Sequence, residues 1–344
     1  MQGDKARLPQ QGMNNRRKLV VALGVGALGI RLRSFAQQPA ARLSRIGILT
    51  AGYTTSDLVG PRPAVPAVNS FLRGLGALGY VYGQHFVTEP RAGESKPERF
   101  TVVAAEVVRD QVDVIVAAGP WLPALKQATS NIPVVMAGAE DPLGQKLVRS
   151  LGRPGGNFTG LSNQSAELNR KRLELLKELV PAAGLVAVLR DPTGMGGWQV
   201  AEATARERGW KLLSLEVNSP GQIEGAFKAA KSARAGALLV IGGGILFPQS
   251  QRIAELAIAN QLPAIYANRP AAEAGGLMSY GADLDDIWRR AATFVDKILK
   301  GTKPADLPIE QPTKFELVIN MKTAKTLGIK IPNSILVRAD KVIE

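Results

Sequence analysis

Asp113-Val-Ile-Val-Ala-Ala-Gly119 is a short run, apolar after its first residue, that stops on a glycine and is followed at once by Pro120. Ala237-Leu-Leu-Val-Ile-Gly242 repeats the design in the second half of the chain, with Pro248 a few residues on. A half-exposed strand alternates apolar and polar residues. A run apolar on both faces belongs to a strand covered on both sides, as in a parallel sheet flanked by helices. Proline suits the first turn of a helix, where its missing N–H is one that would have no partner anyway. Each stretch therefore reads as buried strand, glycine turn and helix start.

Working outward, the neighbouring landmarks recur in the same order. Upstream, a strand at 46–49, a loop and a helix end in Leu78-Gly79-Tyr80; the counterpart strand at 186–189 leads to a helix ending in Arg208-Gly209-Trp210. Both glycines stand where a helix C-cap needs the left-handed backbone. Downstream, Asn131-Ile-Pro-Val-Val-Met136 matches Gln261-Leu-Pro-Ala-Ile-Tyr266, each a helix exit into another strand. Matched order of this kind predicts two similar lobes. Strands are expected at 46–49, 86–89, 112–117, 134–137, 186–189, 212–216, 237–241 and 264–266. Helices are expected at 68–78, 100–109, 168–180, 199–208, 222–234, 249–260 and 284–299.

The expected fold class is α/β, two doubly wound parallel-sheet lobes joined by a hinge that the chain crosses three times. Turn-rich Arg153-Pro-Gly-Gly-Asn157 sets the first crossing, Ser279-Tyr280-Gly281 the second, and Gly301-Thr-Lys-Pro304 with Leu307-Pro308 the third. Lobe 1 is then 43–157 plus 282–306, and lobe 2 is 158–281 plus 307–344.

Composition narrows the function. The 344 residues, 45% hydrophobic and 21% charged, suffice for two domains. The sequence holds no cysteine, which excludes disulfides, thiolate metal sites and cysteine nucleophiles. Its net charge is +14, but residues 1–36 hold seven basic residues and one acid, so the remainder carries +8. That remainder is scattered: Arg170-Lys171-Arg172 and Arg289-Arg290 fall among apolar residues at helical spacing and read as solvated helix faces. No nucleic-acid partner is expected. His85 is the one histidine, no nucleophile elbow, zincin or phosphate-loop pattern occurs, and so neither enzyme chemistry nor a cofactor is expected. His85 has no partner at metal-ligand spacing and reads as structural. Asp283, Asp285 and Asp286 stand at a helix start, where carboxylates complement the helix dipole.

Met13-Asn-Asn-Arg-Arg-Lys18, the apolar run at 19–30 and Ser34-Phe35-Ala36 have the order of a signal peptide. The expectation is a signal peptide over 1–36 with Met13 as start, cleavage after Ala36, and a periplasmic location reached by the twin-arginine or the general secretory route. Twelve apolar residues fall short of the about 20 that a membrane-crossing helix needs. Gly24-Val-Gly26-Ala-Leu-Gly29 spells a dinucleotide-binding pattern, but no strand precedes it.

In open parallel sheets ligands bind beyond the carboxyl ends of the strands. The loops there nominate Tyr53, Thr54, Gly119, Trp121, Glu140 and Asp141 from the first lobe and Asp191, Gly243, Tyr266 and Asn268 from the second, with Arg269 closing the far side. Hydroxyls and a helix start at Tyr53 and Thr54 suit a carboxylate, the aromatic at Trp121 suits either stacking on an aromatic solute or simply filling the pocket, and the acids Glu140 and Asp141 suit an ammonium group. Together they suit a small organic ligand, an aromatic amino acid or related small acid, closed in by hinge motion.

The chain resembles the ABC-transporter substrate-binding family that includes tryptophan-binding periplasmic proteins, with the type I periplasmic-binding fold. The resemblance is carried by Phe71-Leu-Arg-Gly-Leu, Val112-Asp-Val-Ile-Val-Ala, Asp141-Pro-Leu-Gly, Leu151-Gly-Arg-Pro-Gly-Gly-Asn-Phe-Thr-Gly-Leu-Ser162, Lys171-Arg-Leu-Glu-Leu-Leu-Lys177, Glu273-Ala-Gly-Gly-Leu-Met-Ser-Tyr-Gly281 and Glu316-Leu-Val-Ile-Asn320. It implies a monomeric binding protein that hands its small-molecule ligand to an ABC permease driven by a separate ATPase subunit. The alternative is a ligand-presenting sensor for a membrane signalling receptor. Two loops depart from the family pattern: Gly119-Pro-Trp-Leu122 replaces a small-residue loop, and Asp191-Pro192 replaces an Asn-Pro turn.

Overall fold

The eight expected strands and seven expected helices all form, within a residue or a few of the expected bounds. The computed structural model describes residues 42–344 apart from 52, 95, 193 and 194, and the expected signal peptide over 1–36 lies outside the described residues. The first half runs β1 (Ser44–Thr50), α1 (Pro66–Ala77), β2 (Phe86–Ala92), α2 (Phe100–Arg109), β3 (Val114–Ala117), α3 (Trp121–Ala128), β4 (Val134–Ala139) and β5 (Phe158–Ser162). Its five strands form one all-parallel sheet in the order β2-β1-β3-β4-β5.

The second half runs α4 (Asn169–Leu179), β6 (Leu185–Arg190), α5 (Met195–Arg208), β7 (Lys211–Glu216), α6 (Ile223–Ser232), β8 (Ala237–Val240), α7 (Ser250–Ala259), β9 (Ala264–Tyr266), α8 (Arg269–Glu273) and β10 (Met278–Ala282). It continues through α9 (Leu284–Leu299), β11 (Phe315–Asn320), α10 (Met321–Thr326), α11 (Asn333–Leu336) and β12 (Lys341–Ile343). The second sheet has seven strands in the order β12-β11-β10-β9-β8-β6-β7. It is parallel except where β10 and β11 run antiparallel.

Both faces of each sheet are covered, which is why the strands are apolar throughout. On the first sheet, Val114 and Val116 of β3 point to Phe71 and Leu75 of α1 and Trp288 and Val295 of α9; Ile115 and Ala117 point to Val103 of α2 and Leu125 of α3. On the second, Val186 and Val188 meet Leu173 and Leu176 of α4, while Ala187 and Leu189 meet Phe227 of α6 and Ile253 of α7. Each Val, Leu, Ile or Phe among them contributes about 1.5–3 kcal/mol on burial.

The duplicated helix ends share one hydrogen-bond pattern. Gly79 N–H donates to the Gly76 carbonyl and Tyr80 N–H to that of Leu75; Gly209 N–H donates to Arg206 and Trp210 N–H to Ala205. These are the two bonds of a Schellman cap, and both glycines take the positive φ it requires, 89° and 67°.

The crossings fall later than the turn-rich sequence suggests. Phe158–Ser162, assigned above to lobe 2, is the edge strand of the first sheet, with Phe158 opposite Val134 of β4. The Pro-Gly-Gly turn before it joins two parts of the first lobe. Gly160, at φ 122°, lets the two backbones meet there, since a Cβ would lie 2.4 Å from the Met136 carbonyl oxygen. Ser279-Tyr280-Gly281, expected as a crossing, is strand β10, and the chain leaves the second lobe only at its end, when α9 packs onto α1. Residues 307–310, expected in lobe 2, stay with the first lobe: Ile309 N–H donates to Leu151 and Glu310 N–H to Gly160.

Candidate functional site

The carboxyl ends of the two sheets face one cavity of about 340 Å³. Loops after β1, β3 and β4 form one wall, and loops after β5, β8 and β9 form the other. Its apolar part includes Val65, Pro66, Leu284 and Trp288 from the first lobe and Phe247 and Pro270 from the second. The loops meet at the rim, where a Cβ on Gly244 would stand 2.9 Å from the Pro120 Cβ.

Arg172 organises the second-lobe wall. It lies in the first turn of α4 and is fully buried, although Arg170-Lys171-Arg172 reads in sequence as a solvated face. Its Nε donates to the Tyr280 carbonyl at 2.7 Å, Nη1 to the Ser165 carbonyl at 2.8 Å and Asn169 Oδ1 at 2.7 Å, and Nη2 to Ser165 Oγ and the Ala267 carbonyl at 3.3 Å each. Five N–H donors thus meet five neutral acceptors, from α4 and its approach, the β9–α8 loop and strand β10. Burial pulls the guanidinium down to about 10, against the opposing influence of Glu140 and Tyr280, so it stays charged at neutral pH.

Glu140 stands opposite, just past the end of β4. Burial pushes its carboxyl up to about 8; Asp191 and Asp141 add to the shift and Arg172 opposes it. Asp191 is buried and accepts the Ile245 N–H at 2.8 Å. At the other end of the cavity Arg269, the first residue of α8, donates to Glu316 at 2.9 Å and to Asp285 at 2.5 Å. Tyr53 lies near this group, and burial, then Asp285 and Asp57, raise its hydroxyl above the usual tyrosine range.

Of the residues nominated from sequence, Tyr53, Gly119, Glu140, Gly243 and Asn268 line the cavity. The other five stand behind or beside it. Trp121 is fully buried in the first-lobe core, its ring 4.6 Å from that of Phe100, because it opens α3 on the face turned to the sheet. Tyr266 packs on the face of β9 covered by α7 and α8, among Ile253, Ala257 and Ala271. Thr54 caps the short turn Thr55–Leu58 and bonds to Asp57. Asp141 Oδ1 accepts the Gly144 N–H and closes a turn. Asp191 sits beneath Gly243, where an added Cβ would meet its Oδ1 at 2.2 Å.

Sequence reasoning missed Arg172, Trp288 and Phe247. One signal was available for the first: Arg172, Leu176 and Leu179 share a helix face by their spacing. The acids at the start of α9 divide as well. Asp283 caps the helix, accepting the Asp286 N–H at 3.0 Å, while Asp285 reaches across to Arg269. His85 is exposed and its Nδ1 accepts the Val81 N–H at 2.8 Å, a turn contact.

The family model for ABC transporter substrate binding proteins matches residues 63–343. The chain belongs to that family. This substrate-binding protein is 24% identical over 268 residues, 77% of each chain, to a tyrosine-binding protein of Clostridioides difficile. It is similar to the solved ABC domain in complex with L-Trp from Streptococcus pneumonia, with TM-score 0.77 and 27% identity over 88% of this chain and 100% of that one. A conserved domain protein from Vibrio cholerae matches with TM-score 0.78 and 26% identity over the same shares. The substrate-binding protein thus has the type I periplasmic-binding fold expected from its sequence, and its family is one of binding proteins rather than enzymes.

Proposed function

We propose that this substrate-binding protein closes on an aromatic amino acid, or a related small organic acid, outside the cytoplasm and delivers it as a monomer to an ABC permease powered by a separate ATPase. The observation that carries the reading is the lining of the cavity. Trp288, Phe247 and Pro66 offer a flat apolar wall, with Glu140 at one margin and the polar cluster of Arg269 with Glu273, Asp285 and Glu316 at the other. A zwitterion bearing an aromatic side chain needs that combination: apolar area for the ring and separate polar anchors for its two charged ends. About 340 Å³ is at the small end of ligand cavities, which fits one amino acid rather than a peptide.

The three passages between the lobes support a closing motion, since they let one lobe turn against the other and a ligand touching both walls favours the closed arrangement. Titration calorimetry with tyrosine, tryptophan, phenylalanine and their deaminated analogues tests the ligand class. Binding of none of them by folded protein would remove it. Loss of uptake of the bound solute on deleting the gene, with restoration by the exported chain, tests delivery and location.

A further inference from the structure

Among the described residues four carboxylates line the cavity, and three of them are answered by one cation. Glu273, Asp285 and Glu316 all pair with Arg269, at 3.5, 2.5 and 2.9 Å. Glu140 is different. Among the described residues its carboxyl makes no hydrogen bond and no ion pair, although it stands half-buried at the cavity wall.

The charges around it do not balance. Asp141 on the same loop and Asp191 from the loop after β6 are both acidic, and among the described residues Arg172 of α4 is the one cation whose charge acts on Glu140. Arg172 cannot turn toward the carboxyl without giving up a bond, because its five donors already meet five neutral acceptors. Asn163 and Ser165, on the approach to α4, complete the surroundings without adding charge. Three acids therefore face one immobilised cation, and the site lacks a positive charge at the place where Glu140 meets the cavity. Desolvation at the wall and the two neighbouring acids favour the protonated form of such a carboxyl until a cation arrives.

We propose that Glu140 is the specificity residue that takes the ligand's ammonium group, and that binding drives it from carboxylic acid to carboxylate with release of its proton to solvent. The inference rests on the reading of the cavity as an amino-acid site and names the end of the ligand that Glu140 holds. The proton balance is simple: the ammonium keeps its protons, Glu140 loses one, and the charge pair forms inside the cavity. The remaining charged groups of the wall, Arg269 with its three carboxylates, are paired among themselves and lie at the other end.

The test is calorimetry of the exported chain with the aromatic amino acid that binds it best, in buffers of different ionisation enthalpy. With the free carboxyl raised to about 8, binding at pH 7 releases most of one proton, and affinity rises by up to about tenfold between pH 6 and 7. The deaminated analogue, which has the ring and carboxylate but no ammonium, shows neither effect. Glu140→Gln weakens binding of the amino acid at least tenfold, abolishes its proton release, and leaves the analogue within about threefold, so binding of the analogue also reports that the variant is folded. Amino-acid binding with no proton release and no change across pH 6–7 overturns the proposal while leaving the ligand class intact. Binding of neither compound removes the ligand class and the proposal with it.

Discussion

Asp285 and Arg269 join the lobes: the carboxylate at the start of α9, in the first lobe, lies 2.5 Å from the guanidinium at the start of α8, in the second. Both are partly exposed, so the pair contributes roughly 1 kcal/mol to the arrangement in which the lobes meet. Arg269 is held on its own lobe by Glu316 and Glu273, and so it reaches Asp285 without having to be ordered first. Asp285→Asn removes the link across the cleft and keeps those on one side. The expected result is ligand affinity up to about fivefold weaker with an unfolding midpoint lowered by about 2 °C or less. Equal affinity in variant and parent would show that the pair does not contribute to closure.

The two tryptophans near the cleft should behave oppositely. Trp121→Ala empties a core position against Phe100 and should cost about 3–5 kcal/mol of stability, measured by denaturant unfolding, with ligand affinity nearly kept in the fraction that folds. Trp288→Phe keeps most of the packing on α1 but reshapes the cavity wall, so affinity should fall while stability changes by about 1 kcal/mol or less. The reverse ranking would place the ligand against Trp121.

The raised carboxyl of Glu140 has a consequence for the ligand-free protein. Between about 4.5 and about 8 the folded chain keeps a proton that the unfolded chain has lost. The stability this provides is fully present below the lower value and disappears as pH rises through the upper one. The midpoint of thermal unfolding should therefore fall between pH 6 and 8.5 by about 3 °C more in the parent than in Glu140→Gln. Parallel pH profiles for the two proteins would mean that Glu140 is ionised in the folded state.

Arg172→Met keeps an unbranched apolar stem about as long as the arginine chain to Nε and removes all five donors. The carbonyls of Ser165, Ala267 and Tyr280 then lose a partner in a buried place, at a cost of about 3 kcal/mol or more. Unfolding in urea should show it. A variant as stable as the parent would mean that water replaces the guanidinium.

What was legible in the sequence was whatever repeats with a period. Apolar runs such as residues 237–241 and the amphipathic pattern of 284–299 placed strands and helices closely, and the glycine at each helix exit marked two identical caps. The crossings were misplaced because a Pro-Gly-Gly turn announces a change of direction, and Arg153–Asn157 makes one without leaving its lobe. Five of the ten nominated residues line the cavity. Loops name the right neighbourhood, but they do not tell which side of a helix start Trp121 faces, or that Tyr266, the last residue of β9, points away from the cleft. Arg172 was misread for the opposite reason: charge argues for solvent, and only the three-dimensional set of five acceptors makes its burial tolerable.

That set of acceptors has a mechanical side. One of them is the carbonyl of Tyr280, in the strand whose end feeds the passage to the first lobe. Wall and passage are therefore fastened to a single rigid fork, and a solute that shifts the guanidinium must shift the strand end with it. The bulk of the guest is thereby geared to the angle between the lobes, and two solutes of different size would hold the lobes at two different angles.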